Sequence, residues 1–124
     1  MPPLANHRIL VVEDEALIAF EVGEAIREAG GSVAGPFATA GEALWLIENE
    51  NITAAVLDLQ LWGETSVPIA RRLLDKSIPF LYYTANASSI EPHLAAQILE
   101  KPATPEELVS ALAALIAKSP RSLH

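Results

Sequence analysis

Ala54-Ala55-Val56-Leu57-Asp58 is the stretch whose reading decides the fold. An unbroken apolar run closed by an acid reads as a short strand covered on both faces, since a strand with one wet face alternates apolar and polar positions. Asn49 to Thr53 is the polar break before it, and Leu59 to Ser66 reads as a loop after it. Upstream, Arg8-Ile9-Leu10-Val11-Val12-Glu13 has the same form. Downstream, Ile78-Pro79-Phe80-Leu81-Tyr82-Tyr83-Thr84 is a third such run, with Pro79 at its start, where a missing backbone donor does least harm.

Segments with helical spacing lie between these runs. Ala16 to Ala29 is expected to turn Leu17, Ile18, Val22 and Ile26 inward and to stop at Gly30-Gly31. Ser32-Val33-Ala34-Gly35 is a weak second strand, and Pro36-Phe37 leads into a helix that Thr39 can cap and that points Ala43, Leu44 and Ile47 inward. Pro68 belongs in the first turn of a helix facing the core with Ile69, Ala70, Leu73 and Leu74. Asn86 to Ser89 opens a turn, and Leu94 to Leu99 holds a helix end and a fifth strand. Thr104-Pro105-Glu106-Glu107 combines a capping threonine, a proline at the first helical position and a glutamate three residues after the cap, so a last helix starts there and runs to about Lys118.

Such alternation is the signature of an α/β, doubly wound parallel sheet of five strands with helices on both faces. The expected domain is residues 7–118, with 1–6 and 119–124 as flexible termini. Trp45 reads as packing, Trp62 as a lid or an exposed contact, and Tyr82 and Tyr83 as neighbours that face opposite layers.

A chain of 124 residues can bury a core without a disulfide or structural metal. Sixteen acidic against eight basic residues, a formal net charge of -8, make a surface that repels a phosphate backbone, so no nucleic-acid binding is expected. Cysteine is absent, which removes thiolate chemistry and suits a reducing compartment. No apolar run approaches the roughly 20 residues needed to span a bilayer, so the expectation is a cytoplasmic protein with no membrane association. His7, His93 and His124 stand apart, without metal-ligand spacing, and are given no role.

In sheets of this class, functional groups gather beyond the carboxyl ends of the strands. Glu13 and Asp14 follow the first strand, Asp58 the third, Thr84 ends the fourth and Lys101 follows the fifth. Carboxylates brought together repel unless a cation neutralises them, and an all-oxygen pocket suits Mg2+. A carboxylate beside such a cation can attack phosphorus, with lysine and threonine holding the remaining oxygens. Taken singly, Asp58 would be a turn residue, Thr84 a strand residue and Glu13-Asp14 a helix cap; their convergence is what favours chemistry.

These residues resemble the response-regulator receiver (CheY-like) family over roughly His7 to Lys118. Glu13-Asp14 is similar to the family's acidic pair, Asp58 to its phosphoacceptor, Thr84 to its switch hydroxyl, and Lys101-Pro102 to its lysine and following proline, usually cis. The resemblance implies a flavodoxin-like sheet of order 2-1-3-4-5, the order known for this family. It also implies direct Mg2+ ligation by Asp14 and Asp58, a backbone carbonyl ligand from Gln60, and Glu13 acting through water. The side chains of Gln60 and Asn86 would occupy the positions that tune aspartyl-phosphate hydrolysis. The implied partners are a sensor histidine kinase or histidine phosphotransfer protein and an unidentified downstream target. Homodimerisation is left open. The implied activity is the chain's own Mg2+-dependent phosphorylation and dephosphorylation, not conventional enzymatic turnover.

Ile98 stands where the family commonly carries an aromatic, which puts the usual threonine–aromatic coupling in question, and Trp62 and Ala103 replace a common proline and phenylalanine. Pro79-Phe80, Gly63-Glu64-Thr65 and the missing aromatic are similar to the stand-alone FATGUY receivers and their HWE-type histidine kinases, although Tyr83-Thr84-Ala85-Asn86 departs from that subgroup's run. Two other functions compete. A haloacid-dehalogenase-type hydrolase would need a second acid where Gln60 stands, whereas a degenerate receiver would bind proteins without phosphorylation. No Gly-rich phosphate loop follows the first strand, which removes a P-loop hydrolase.

Overall fold

The computed structural model describes residues 1–37, 39–61, 63–85 and 97–119. Its elements run β1 (Arg8–Val12), α1 (Ala16–Glu28), β2 (Ser32–Phe37), α2 (Ala40–Asn49), β3 (Ala54–Leu57), β4 (Gln60–Leu61), β5 (Glu64–Thr65), α3 (Val67–Asp75), β6 (Phe80–Thr84), β7 (Ile98–Glu100) and α4 (Pro105–Ala117). Five strands form one parallel sheet in the order β2-β1-β3-β6-β7, the doubly wound, flavodoxin-like arrangement expected from the sequence.

Period-two alternation divides each central strand between two cores. Leu10 and Val12, Ala55 and Leu57, Phe80 and Tyr82 join α2 and α3 through Ala43, Ile47, Ile69 and Leu73. Ile9 and Val11, Ala54 and Val56, Leu81 and Tyr83 join α1 and α4 through Val22, Ile26, Leu108 and Leu112. That is why β1, β3 and β6 read as continuous apolar runs: neither face meets water. The tyrosines divide as expected, and Tyr82 packs edge-on against Phe80 at 5.6 Å between ring centroids.

Helix ends follow local chemistry. Thr39 caps α2 by accepting from the Glu42 N–H, and Thr104 and Glu107 form a complete capping box at α4, the threonine hydroxyl accepting from Glu107 N–H at 3.1 Å and the carboxylate from Thr104 N–H at 2.9 Å. Gly30, at φ +90°, supplies the left-handed residue that ends the first helix. Glu15, not Glu13 or Asp14, is the N-cap residue of α1, and its side chain makes no capping bond.

Several expectations are corrected. Leu17 is 71% exposed, because it lies about two and a half turns before Ile26 and so on the opposite side of α1. Ala19, Val22, Gly23, Ala25 and Ile26 are the buried residues of α1. Trp45 is 61% exposed rather than packed, since it sits between Ala43 and Ile47 in sequence and therefore across the helix from them. Leu74 is also exposed. Strand β2 does not stop at Gly35 but runs on to Phe37, which an edge strand allows because Pro36 removes a donor that no neighbour needs. The expected loop after Asp58 contains a small antiparallel pair, β4 with β5. Leu4, in the segment expected to be a flexible terminus, is fully buried, and its N–H bonds the Ala29 carbonyl at 2.9 Å. Ser119 is buried as well. Trp62, the turn at Asn86 to Ser89 and the helix end before Gln97 lie outside the described residues.

No helix among the described residues is long and apolar enough to cross a membrane. Replacement of fully buried Ile47 by alanine is expected to cost roughly 2–5 kcal/mol in urea denaturation, while Leu17→Ser should stay within about 0.5 kcal/mol of the parent. Equal losses at the two positions would contradict the orientations of α1 and α2.

Candidate functional site

Register brings the ends of β1 and β3 level, and β6 and β7 run two residues further together. Val12 pairs with Leu57, Leu57 with Tyr82, and Thr84 with Glu100, so the residues that leave β1, β3, β6 and β7 emerge along one edge. The ladder extends one residue beyond the strands on both sides of the site: Asp58 N–H bonds the Val12 carbonyl at 2.9 Å, and Lys101 N–H bonds the Thr84 carbonyl at 3.0 Å. Glu13, Asp14 and Asp58 each place a carboxylate oxygen within 4.8 Å of the others. Glu13 and Asp58 are buried and Asp14 half-buried.

Lys101 reaches into this cluster. Its Nζ lies 2.8 Å from Glu13 Oε1, 3.2 Å from Asp58 Oδ2 and 3.6 Å from Glu15 Oε1, and its side chain is only 10% exposed. Glu13 Oε2 also accepts the Glu15 N–H at 3.1 Å, which ties the acid to the start of α1. Thr84 is buried, and with Asp14, Glu15, Asp58, Gln60, Leu61, Ala85 and Lys101 it lines an open cleft of about 370 Å³. Gln60 is exposed at the mouth. Every residue singled out from the sequence for this site, Asn86 apart, therefore lies in the acidic cluster or lines the cleft beside it; Asn86 lies outside the described residues. Lys101–Pro102 is a cis peptide, as is Gly35–Pro36.

Two participants escaped the sequence reading. Glu15 contacts Lys101, and the Tyr83 ring lies 5.8 Å from its ammonium. The signals were there: Glu15 extends the acidic run Glu13-Asp14, and Tyr83 stands one residue before Thr84 on the face turned away from Tyr82. Glu64, noted only as part of a loop, accepts the Ala40 N–H at 2.7 Å and moors the β4–β5 turn to the start of α2.

The electrostatics favour a further cation. Burial pulls the Lys101 ammonium down, but Glu13 and Asp58 outweigh it and hold it above its ordinary value. Burial pushes Glu13 up from 4.5 to about 7; the Lys101 and Glu15 bonds pull it back, and the Asp58 charge adds to the rise. Three carboxylates meet here, and the Lys101 ammonium bonds two of them, so acidic groups outnumber the basic one. Close carboxylate oxygens without nitrogen or sulfur donors fit a hard divalent ion such as Mg2+.

The raised Glu13 value has a consequence for stability. Between about 4.5 and about 7 the folded chain holds a proton that the unfolded chain has released, so this group's stabilisation is complete below about 4.5 and lost as pH rises through about 7. In metal-free buffer, Glu13→Gln should flatten this part of the denaturation midpoint's pH dependence. An identical slope in parent and variant would contradict the buried placement of Glu13.

No family model matches the chain. Among solved structures it is similar to SdrG from Sphingomonas melonis Fr1, with 35% identity over 94% of this chain and 99% of that one, at a TM-score of 0.81. It is similar to a response regulator receiver protein from Sinorhizobium medicae WSM419, with 25% identity over 90% of this chain and 95% of that one, TM-score 0.76. It also matches the response regulator PhyR from Brucella abortus at 25% identity and TM-score 0.79, over 93% of this chain but only 50% of PhyR. With the acidic cluster at the strand tips and these relatives together, the chain belongs to the response-regulator receiver family.

Proposed function

We propose that this chain is a signalling receiver in which Asp58 accepts a phosphoryl group from the phosphohistidine of a sensor histidine kinase or histidine phosphotransfer protein. The observation that carries the reading is the convergence of Glu13, Asp14 and Asp58 around one point, with Lys101 bonded to two of them. In the transfer, an Asp58 carboxylate oxygen forms the new P–O bond as the P–N bond to the donor imidazole breaks, and the electron pair of that bond leaves with the imidazole nitrogen. Asp14 and Asp58, with the Gln60 carbonyl and with Glu13 through water, are the residues that would hold Mg2+. Bound there, the ion offsets negative charge on the transferring oxygens.

Lys101 has to release part of its hold on Asp58 to meet the incoming phosphoryl oxygens, and its bond to Glu13 keeps it at the cleft while it does so. Thr84, buried on the same cleft, donates its hydroxyl to the product. Signalling then proceeds by protein binding: the new charge favours one of two conformers of the surface around β7 and α4. The donor's approach is suggested by Phe20, 61% exposed, which shares a groove with Glu13 and Asp14. It offers an exposed apolar contact beside the acidic pair.

Pro79-Phe80, the Gly63-Glu64-Thr65 turn and Ile98 favour the FATGUY subgroup, and with it an HWE-type kinase as donor. The absence of cysteine agrees with a cytoplasmic setting.

Incubation with Mg2+ and acetyl phosphate should add the mass of one phosphoryl group, and Asp58→Asn or removal of the ion should abolish the gain. No gain in the parent chain would leave a receiver that binds proteins without phosphorylation, and steady release of phosphate from many esters would favour a hydrolase. Phe20→Asp should slow transfer from a phosphohistidine protein about tenfold or more while leaving acetyl phosphate labelling unchanged. Equal slowing with both donors would contradict a docking role for α1.

A further inference from the structure

We propose that Tyr83 is a positioning residue for Lys101, gripping both the lysine side chain and the turn that carries it. The proposal rests on the reading of Lys101 as the group that meets the phosphoryl oxygens. Its basis is the joint placement of the Tyr83 ring and hydroxyl.

Tyr83 sits on β6 opposite Leu99 of β7, and its side chain points into the layer of α1 and α4. Lys101 follows Leu99 by one strand repeat, so it leans to the same side of the sheet. Its ammonium lies 5.8 Å from the Tyr83 ring centroid, within reach of a cation–π attraction strengthened where both side chains are largely buried. The Tyr83 Oη accepts the Ala103 N–H at 3.0 Å, while Lys101 N–H bonds the Thr84 carbonyl at 3.0 Å. The turn 101–103 is therefore attached at both ends to the last two residues of β6. Thr104 then opens α4 through its capping box, so the helix start continues this fixed turn.

Packing alone does not require a phenol here. The neighbouring groove, of about 120 Å³ between Ile18, Val22, Ala25 and Leu108, is apolar on those sides, and a phenylalanine or leucine would satisfy it. The hydroxyl matters because it meets a backbone donor two residues after the lysine. Ile98 stands where the family commonly carries an aromatic, and Tyr83 occupies the adjoining strand, paired one residue beyond the Tyr82–Ile98 pair.

Two measurements test the positioning role. Side-chain NMR of the unphosphorylated parent should find the Lys101 ε-methylene protons shifted upfield by the Tyr83 ring, and Tyr83→Phe should move the Lys101 ammonium resonance. The same variant should take phosphate from acetyl phosphate roughly fivefold more slowly, the size of one lost hydrogen bond, and Tyr83→Leu, which also lacks the ring, more slowly still. The proposal is overturned if the parent has no ring-current shift at Lys101, or if Tyr83→Phe leaves both resonance and rate unchanged. Because the resonances are read without a donor, a parent chain that takes no phosphate refutes the acceptor reading of Asp58 and leaves the Tyr83 result to be decided by NMR.

Discussion

The site depends on a parallel ladder that runs one residue past its strands. The bond from Asp58 N–H to the Val12 carbonyl sets the acceptor level with the end of β1, and that from Lys101 N–H to the Thr84 carbonyl sets the lysine level with the end of β6. A slip of one residue in either pairing would turn the side chain to the other face of the sheet and separate the carboxylates from their cation. The two apolar cores prevent such a slip, because it would also exchange Leu57 with Val56 between layers, or turn Leu99 away from its core. Core packing and site geometry are therefore one constraint.

That constraint holds like charges together at a cost. Glu13 is buried beside Asp58 and is pushed up to about 7 despite its bonds to Lys101 and the Glu15 N–H. A cation that bound this cluster in the folded chain would stabilise the fold by linkage. The same tension suits a switch. Lys101 is shared between Glu13 and Asp58, and a phosphoryl group on Asp58 would redistribute those bonds. The turn beneath the ammonium is attached at two points, through Tyr83 and Thr84.

Much of this was legible in the residues. The strands β1, β3 and β6 stood out because burial on both faces leaves no polar alternation, and α4 because its capping box is written in Thr104-Pro105-Glu106-Glu107. The acids, threonine and lysine could be gathered because each ends or follows a strand. What misled was side-chain size. In α1 Ile18, Val22 and Ile26 face inward as expected, but the buried face is completed by the small Ala19, Gly23 and Ala25, while Leu17, counted with it for its bulk, faces outward. Trp45 failed for the same reason. The β4–β5 pair is too short to leave a periodic pattern, and the burial of Leu4 comes from a contact with the end of α1 that no local pattern encodes. Tyr83 read only as the neighbour of Tyr82 on the opposite layer, and its bond to Ala103 is visible only once β6 and β7 are side by side.

The most direct test of the central claim is a crystal structure of the chain soaked with Mg2+ and beryllium fluoride, a mimic of a phosphoryl group on a carboxylate. The account predicts the mimic joined to the Asp58 carboxylate, the divalent ion against Asp14 and Asp58, and Lys101 and Thr84 on the fluorides. Density for the ion and mimic at any other carboxylate, or a cleft whose Asp58 still bonds only Lys101, would contradict it.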